Sequence, residues 1–314
     1  MSLLERLEPG ARAYMERLIR EGGKPLPELA VEEARQFMRD GQVTPLEHPS
    51  VSIRSVEADG VPLTIVAPVE VDGALPAVLY LHGGGWVLGG IETHARIVRE
   101  IALGSQAAVV FPHYTLAPEV RFPVAVEQCY RAAQWIETHG AEHEIDISRM
   151  AVAGDSAGGN LAAVVAQLAA ERSGPKFRVQ ALMCPVTQAP AETASYDEFA
   201  EGLNLTRDAM DWFWGMYVPD RAMWRDPAAA PLHASLDVLR RVPPAVIVTA
   251  ECDVLRDDGE LYARRLFDAG VPATATRLMG TLHNFTVIDD LCKSGPAVCA
   301  MQIVNHALRT ALHA

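Results

Sequence analysis

The amino-terminal part of the chain has helix-type spacing. Tyr14, Met15, Leu18 and Ile19 form an apolar stripe between charged residues, and a second helical segment runs from about Val31 to Met38. A membrane-surface helix would carry a basic polar face, but this segment carries Glu5, Glu8, Glu16 and Glu21, so packing against the body of the protein is expected. From Val51 the period shortens. Val51 to Val56 and Val61 to Val66 flank Asp59-Gly60, which predicts an antiparallel pair joined by a tight turn. Short apolar runs follow at Ala77 to Leu81, Ala107 to Phe111, Met150 to Ala153, Val179 to Cys184, Ala245 to Ala250 and Ala273 to Met279. Unbroken runs of this length read as strands buried on both faces.

Between the runs, Val126, Cys129, Tyr130 and Ala133 keep helical spacing, as do Leu161, Val164, Val165 and Leu168. Gly104, Gly174 and Gly270 are expected where helices stop. Strands alternating with helices imply right-handed βαβ units and a mostly parallel sheet, so the fold class is α/β. The alternation breaks between about Pro185 and Pro231, which predicts an excursion from the sheet. Within it, Met210, Phe213, Trp214 and Tyr217 share one face of a helix that starts near Thr206, a good N-cap residue. That face either packs on the body or roofs a pocket. At 314 residues the chain suits one α/β domain, 1–314, with an inserted lid.

Composition narrows the function classes. A net charge of −13 argues against binding nucleic-acid phosphates, an affinity that rests on Lys and Arg. No apolar run approaches the roughly 18 residues of a membrane span, and the start MSLLERLEPG is acidic where a signal peptide is apolar, so a cytoplasmic protein is expected. Cys129, Cys184, Cys252, Cys292 and Cys299 are odd in number and form no CxxC pair, which reads as reduced, mostly buried thiols. Cys252 stands out because it precedes Asp253.

The chemistry begins at Gly154-Asp155-Ser156-Ala157-Gly158-Gly159, a G-x-S-x-G motif between a predicted strand and a predicted helix. Glycines on both sides permit the sharp turn that presents a serine hydroxyl. A serine is a weak nucleophile until a histidine takes its proton and a carboxylate orients that histidine. His283, in a short loop after the last strand, is the expected base, because His306 and His313 sit in a helical pattern. Asp253, Asp257 and Asp258 compete for the acid. Asp253 is favoured because it stays on the loop at the strand's carboxyl end, whereas the other two begin a helix. His82-Gly83-Gly84-Gly85-Trp86 follows another strand and is the HGGG-type loop that supplies oxyanion-stabilising backbone N–H groups. His139-Gly140-Ala141-Glu142-His143 matches the zinc-protease pattern H-x-x-E-H, but Gly140 lies where a helix should end; no metal and no cofactor are expected.

Together with Tyr114-Thr115-Leu116-Ala117-Pro118-Glu119, Asp253-Val254-Leu255-Arg256-Asp257 and His283-Asn284-Phe285, these motifs make nearly the whole chain resemble the bacterial hormone-sensitive-lipase-like esterases. The resemblance implies an α/β-hydrolase fold with an eight-stranded, mostly parallel sheet flanked by helices. It also implies a helical cap from about residues 1–50 and 185–231, and oxyanion donors at Gly84, Gly85 and Ala157. Substrate contacts are expected at Trp86, Asp155, Leu205, Met210, Phe213, Trp214 and Tyr217. Two positions depart from the family pattern. His113-Tyr114-Thr115 replaces Asp-Tyr-Arg, and Asn284 replaces a glycine, although Asn tolerates left-handed backbone angles. The expected activity is hydrolysis of short- to medium-chain carboxylic esters through an acyl-enzyme. The partner is a small-molecule ester, and a homodimer is left open. An amidase or lactonase could use the same residues, and a ligand-binding receptor of this fold, like the gibberellin receptors that lack the histidine, is the alternative of another class.

Overall fold

The apolar runs assemble into one eight-stranded sheet in the computed structural model, which describes residues 2–69, 71, 73–190 and 192–314. All the expected site residues fall among them. The strands are β1 (Val51–Ala58), β2 (Val61–Pro68), β3 (Leu75–Leu81), β4 (Ala108–Pro112), β5 (Ile145–Asp155), β6 (Phe177–Met183), β7 (Ala245–Cys252) and β8 (Ala273–Leu282). They lie in the order β1-β2-β4-β3-β5-β6-β7-β8. The β1–β2 hairpin turns at Asp59-Gly60 as predicted, and β2 pairs antiparallel with β4. Every other pairing is parallel.

The helices are α1 (Leu3–Arg6), α2 (Pro9–Glu21), α3 (Val31–Asp40), α4 (Ile91–Ser105), α5 (Val124–His139), α6 (Ala157–Glu171), α7 (Ala194–Glu198), α8 (Arg207–Tyr217), α9 (Leu236–Leu239), α10 (Arg256–Asp268) and α11 (Gly295–His313). α4 and α11 pack together on one face of the sheet, and α5, α6 and α10 cover the other. With both faces covered, all seven residues of β3 are buried, which explains why its sequence lacks alternation. Among the described residues, no helix is long and apolar enough to cross a membrane.

Three expectations need correction. β8 is an edge strand whose residues before Gly280 are exposed or half-buried, Met279 among them, because among the described residues no further strand pairs with its outer side. Gly104 does not end α4. The helix runs on to Ser105 and stops at Gln106 in the left-handed conformation, and Gly104 instead makes room for Asn305, whose side-chain nitrogen would lie 2.4 Å from an added Cβ. In the amino-terminal stripe Met15 is buried but Ile19 is 59% exposed, so the helix is anchored by only part of its apolar face. Gly270, with φ +77°, does end α10 as predicted.

The excursion between β6 and β7 is tied to the body at its start. Asp258, in the first turn of α10, accepts hydrogen bonds from the backbone N–H groups of Thr187 (2.9 Å) and Gln188 (3.2 Å). The Thr187 hydroxyl donates to the Asp258 carbonyl at 2.9 Å. Burial pushes the Asp258 carboxyl up to about 7, outweighing these donors, which favour the charged form. The folded protein therefore keeps this proton after the unfolded chain has lost it. The associated stability is complete below the ordinary carboxylate range and falls as pH rises towards about 7. Asp258→Asn removes this titration. Urea denaturation at a series of pH values should show the wild type losing stability relative to the variant between about pH 4 and 7 and no further above it. A difference that does not change with pH would refute the buried-proton account.

Candidate active site

β5 ends at Asp155, α6 begins at Ala157, and Ser156 between them has φ +52° and ψ −120°. A non-glycine residue in that region carries about 1–3 kcal/mol of strain, which persists only where the surroundings hold it. Here the surroundings are backbone. A Cβ on Gly154 would lie 2.3 Å from the Gly158 carbonyl oxygen, and one on Gly158 would lie 2.0 Å from that of Leu81. The ends of β3 and β5 and the first turn of α6 therefore touch without side chains between them. Ser156 N–H donates to the Met183 carbonyl at 2.8 Å, which locks the turn to β6.

The sheet brings the three residues chosen from sequence together. His283 Nε2 lies 3.0 Å from Ser156 Oγ, and His283 Nδ1 lies 2.8 Å from Asp253 Oδ2. Asp253 follows β7 directly, and its Oδ1 accepts from Leu255 N–H at 2.9 Å. The serine, aspartate and histidine are 5%, 2% and 6% exposed, so this hydrogen-bonded chain is shielded from bulk water. The other two candidate acids are occupied elsewhere: Asp257 pairs with Arg256 and accepts from Ser195 N–H, and Asp258 holds the excursion.

Asn284 adopts φ +57°, as the sequence suggested for a residue standing in for glycine. Its side-chain amide also donates to Asp155 Oδ2 at 3.2 Å. Asp155, expected to meet substrate, is instead fully buried. Its Oδ1 accepts from the Tyr80 hydroxyl (2.7 Å) and from Gly83 N–H (3.1 Å), and His94 Nε2 lies 3.5 Å away. Burial would raise the Asp155 carboxyl, but His94 and the Tyr80 hydroxyl hold it below the usual carboxylate range. His82 is lowered to about 3, mainly by burial, so it is a neutral ring stacked on Tyr114.

The glycine loop after β3 takes left-handed angles at Gly84, Gly85 and Trp86. Among the described residues, the backbone N–H groups of Gly84, Gly85 and Ala157 have no protein acceptor. The Phe213 ring lies where a Cβ on Gly85 would be, at 2.1 Å. α8, capped by Thr206 as predicted, thus presses Phe213 onto the loop. The rest of its stripe divides. Trp214 and Tyr217 are core residues packed on Trp86, with Tyr217 stacked at 4.3 Å, and this leaves all three almost no surface for a substrate. Met210 and Leu205 are also buried, at 2% and 8% exposed.

His139 closes α5 and His143 lies in the following 3-10 turn, so the two do not share one helix face. Both rings pack on Trp135. His306 and His313 belong to α11, as expected. One contact was invisible in the sequence: Asn204, from the excursion, donates to the His283 carbonyl at 2.9 Å. No local motif marks it.

A family profile described as the α/β hydrolase fold matches residues 78–287. A carboxylesterase of Mycobacterium tuberculosis, NlhH, is 40% identical over 294 residues, covering 90% of each chain. An ethyl acetate hydrolase of Pseudomonas putida is 34% identical over 293 residues, covering 89% of this chain and 92% of its own. Among solved structures, a thermostable esterase from Pseudomonas putida superposes with a TM-score of 0.94 at 42% identity, covering 98% of both chains. With its sheet order, its serine elbow and these relatives, the chain belongs to the hormone-sensitive-lipase-like esterases of the α/β-hydrolase fold.

Proposed function

We propose that this carboxylesterase attacks its ester with Ser156, uses His283 as general base and then general acid, and orients that base with Asp253. The unbroken Ser156–His283–Asp253 hydrogen-bond chain carries the reading. His283 Nε2 takes the hydroxyl proton as Oγ bonds to the ester carbonyl carbon. Asp253 keeps the other imidazole proton on Nδ1 and stabilises the imidazolium. The N–H groups of Gly84, Gly85 and Ala157 face the developing oxyanion, and the helix dipole of α6 adds to them. The imidazolium returns its proton to the departing alcohol, which leaves an acyl-enzyme, and water attacks by the same route. A pure ligand-binding role is disfavoured because His283 is present and in hydrogen-bond reach of the serine.

Residues 1–50 and 185–231 serve as the cap in this reading. α8 lies against the 3-10 turn Leu26–Glu28, and Arg35 of α3 donates to the Val87 and Ala117 carbonyls beside the glycine loop. Unpaired thiols support a cytoplasmic location. The acyl site is short and is bounded by Phe213, the α8 residue that lies against the glycine loop. The relative named as an ethyl acetate hydrolase supports a short acyl group.

Two measurements test these assignments. Ser156→Ala should abolish hydrolysis in a folded protein. Asp253→Asn should lower kcat by roughly 10³–10⁴, whereas Asp257→Asn should leave it within an order of magnitude. A larger loss in Asp257→Asn would move the acid. Across p-nitrophenyl esters from acetate to palmitate, activity should peak between about two and eight carbons, since each buried methylene gains about 0.8 kcal/mol only until the pocket is full. Phe213→Ala should shift the optimum to longer chains. An optimum at palmitate, or one indifferent to Phe213→Ala, would remove α8 from the acyl site.

A further inference from the structure

Cys184, the first residue after β6, stands beside Asp253 and His283 and is not among the groups that the proposed hydrolysis uses. Cys184 has φ +44°, its N–H donates to the Val248 carbonyl at 2.8 Å, and Pro185 follows, so its side chain has a fixed direction. Its sulfur, one carboxylate oxygen of Asp253 and one ring nitrogen of His283 all lie within 4.8 Å of one another, and all three residues are buried. The geometry points to a binding site for a thiophilic divalent cation such as zinc, formed by Cys184, Asp253 and His283, whose occupation switches the esterase off.

The donor set fits such an ion. Thiolate, imidazole and carboxylate are the three ligand types that zinc uses. Three atoms within 4.8 Å of one another share a centre at most about 2.8 Å from each, so shifts of about 0.5–0.8 Å or less reach zinc's bond lengths of roughly 2.0–2.3 Å. Burial, with the Asp253 carboxylate adding to it, holds the Cys184 thiol well above its usual value, so the sulfur stays protonated until a cation displaces that proton.

Occupation would disable the base through its tautomer. The ring nitrogen that faces Asp253 is Nδ1, at 2.8 Å, so Nδ1 gives its lone pair to the cation. The imidazole, still neutral, then carries its one proton on Nε2. The Cys184 thiol releases its proton to solvent as the sulfur–metal bond forms, and nothing is oxidised or reduced. Nε2 is the atom 3.0 Å from Ser156 Oγ, and once protonated it cannot accept the serine proton.

The switch rests on reading His283 as the base, so binding and inhibition are measured separately on the full-length, chelator-treated enzyme. Zinc chloride is titrated against p-nitrophenyl acetate hydrolysis for the wild type and Cys184→Ala. Cobalt(II) is titrated in parallel, and the thiolate-to-metal absorption is recorded. Cys292 and Cys299, which carry the more accessible thiols, remain in both proteins as an internal control. Zinc should inhibit the wild type reversibly, with activity restored by chelator. Cys184→Ala should keep its zinc-free activity and need at least about tenfold more zinc for half inhibition. The cobalt–thiolate band should appear in the wild type and be missing or greatly weakened in the variant. Equal zinc sensitivity in both proteins, or no inhibition and no band in the wild type, overturns the proposal. A Cys184-dependent band with undiminished hydrolysis overturns the switch as well, and locates the fault in the role given to His283 rather than in the cation site.

Discussion

Backbone contact at the carboxyl edge of the sheet is the constraint on which the site depends. Gly154 and Gly158 let β5, α6 and the end of β3 meet at distances that a single methyl group would forbid. That contact holds Ser156 at a left-handed φ and leaves the first N–H groups of α6 free beside it. The strain at the serine is local, and many ordinary hydrogen bonds of the surrounding sheet balance it. Because side chains are excluded from the contact, little in it can relax.

Asp155 extends the same junction to its neighbours. One buried carboxylate joins the glycine loop through Gly83, the elbow through its own backbone and the histidine loop through Asn284. A buried charge is tolerated when its lone pairs are filled, and the Tyr80 hydroxyl adds a further donor while His94 Nε2 lies 3.5 Å away. Four aspartates near the site thus take four roles set by surroundings alone. Asp253 lies against the imidazole, Asp155 ties three loops, Asp257 pairs with Arg256, and Asp258 keeps a proton while it anchors the excursion.

The amino-terminal segment and the excursion meet beside the strands that lead to Asp253 and His283. The guanidinium groups of Arg6 and Arg256 both lie over the Phe199 ring, at 5.0 and 5.3 Å, and Glu198 pairs with both arginines. Single ion pairs at partly exposed positions contribute little, but here they share an aromatic platform and converge on one place. Glu251 accepts from Gly280 N–H at 2.7 Å, and the Gly280 carbonyl accepts from Glu8 N–H at 2.9 Å. Glu251 lies two residues before Asp253 and Gly280 three before His283, so this network fixes both strand ends.

Patterns with a short period were legible without the structure. Every strand run, the hairpin at Asp59-Gly60, the α8 cap at Thr206 and the break in alternation after Pro185 follow from side-chain spacing and turn chemistry, which are local. Ser156, Asp253 and His283 could be chosen because each lies just past the carboxyl end of its own strand, and a parallel sheet gathers such ends on one edge. The edge position of β8, the accommodation of Asn305 by Gly104, the division of the α8 stripe, the Asn204 contact and the Cys184 cluster could not be read that way. Each depends on which distant segment lies alongside, and neither a residue's type nor its neighbours in the chain encode that. The sequence by itself determined which elements form and which chemistry they carry, because periodicity and strand-end placement are local properties. The tertiary structure alone decided which polar groups are buried together, because burial and pairing exist only once the sheet has brought remote residues into contact.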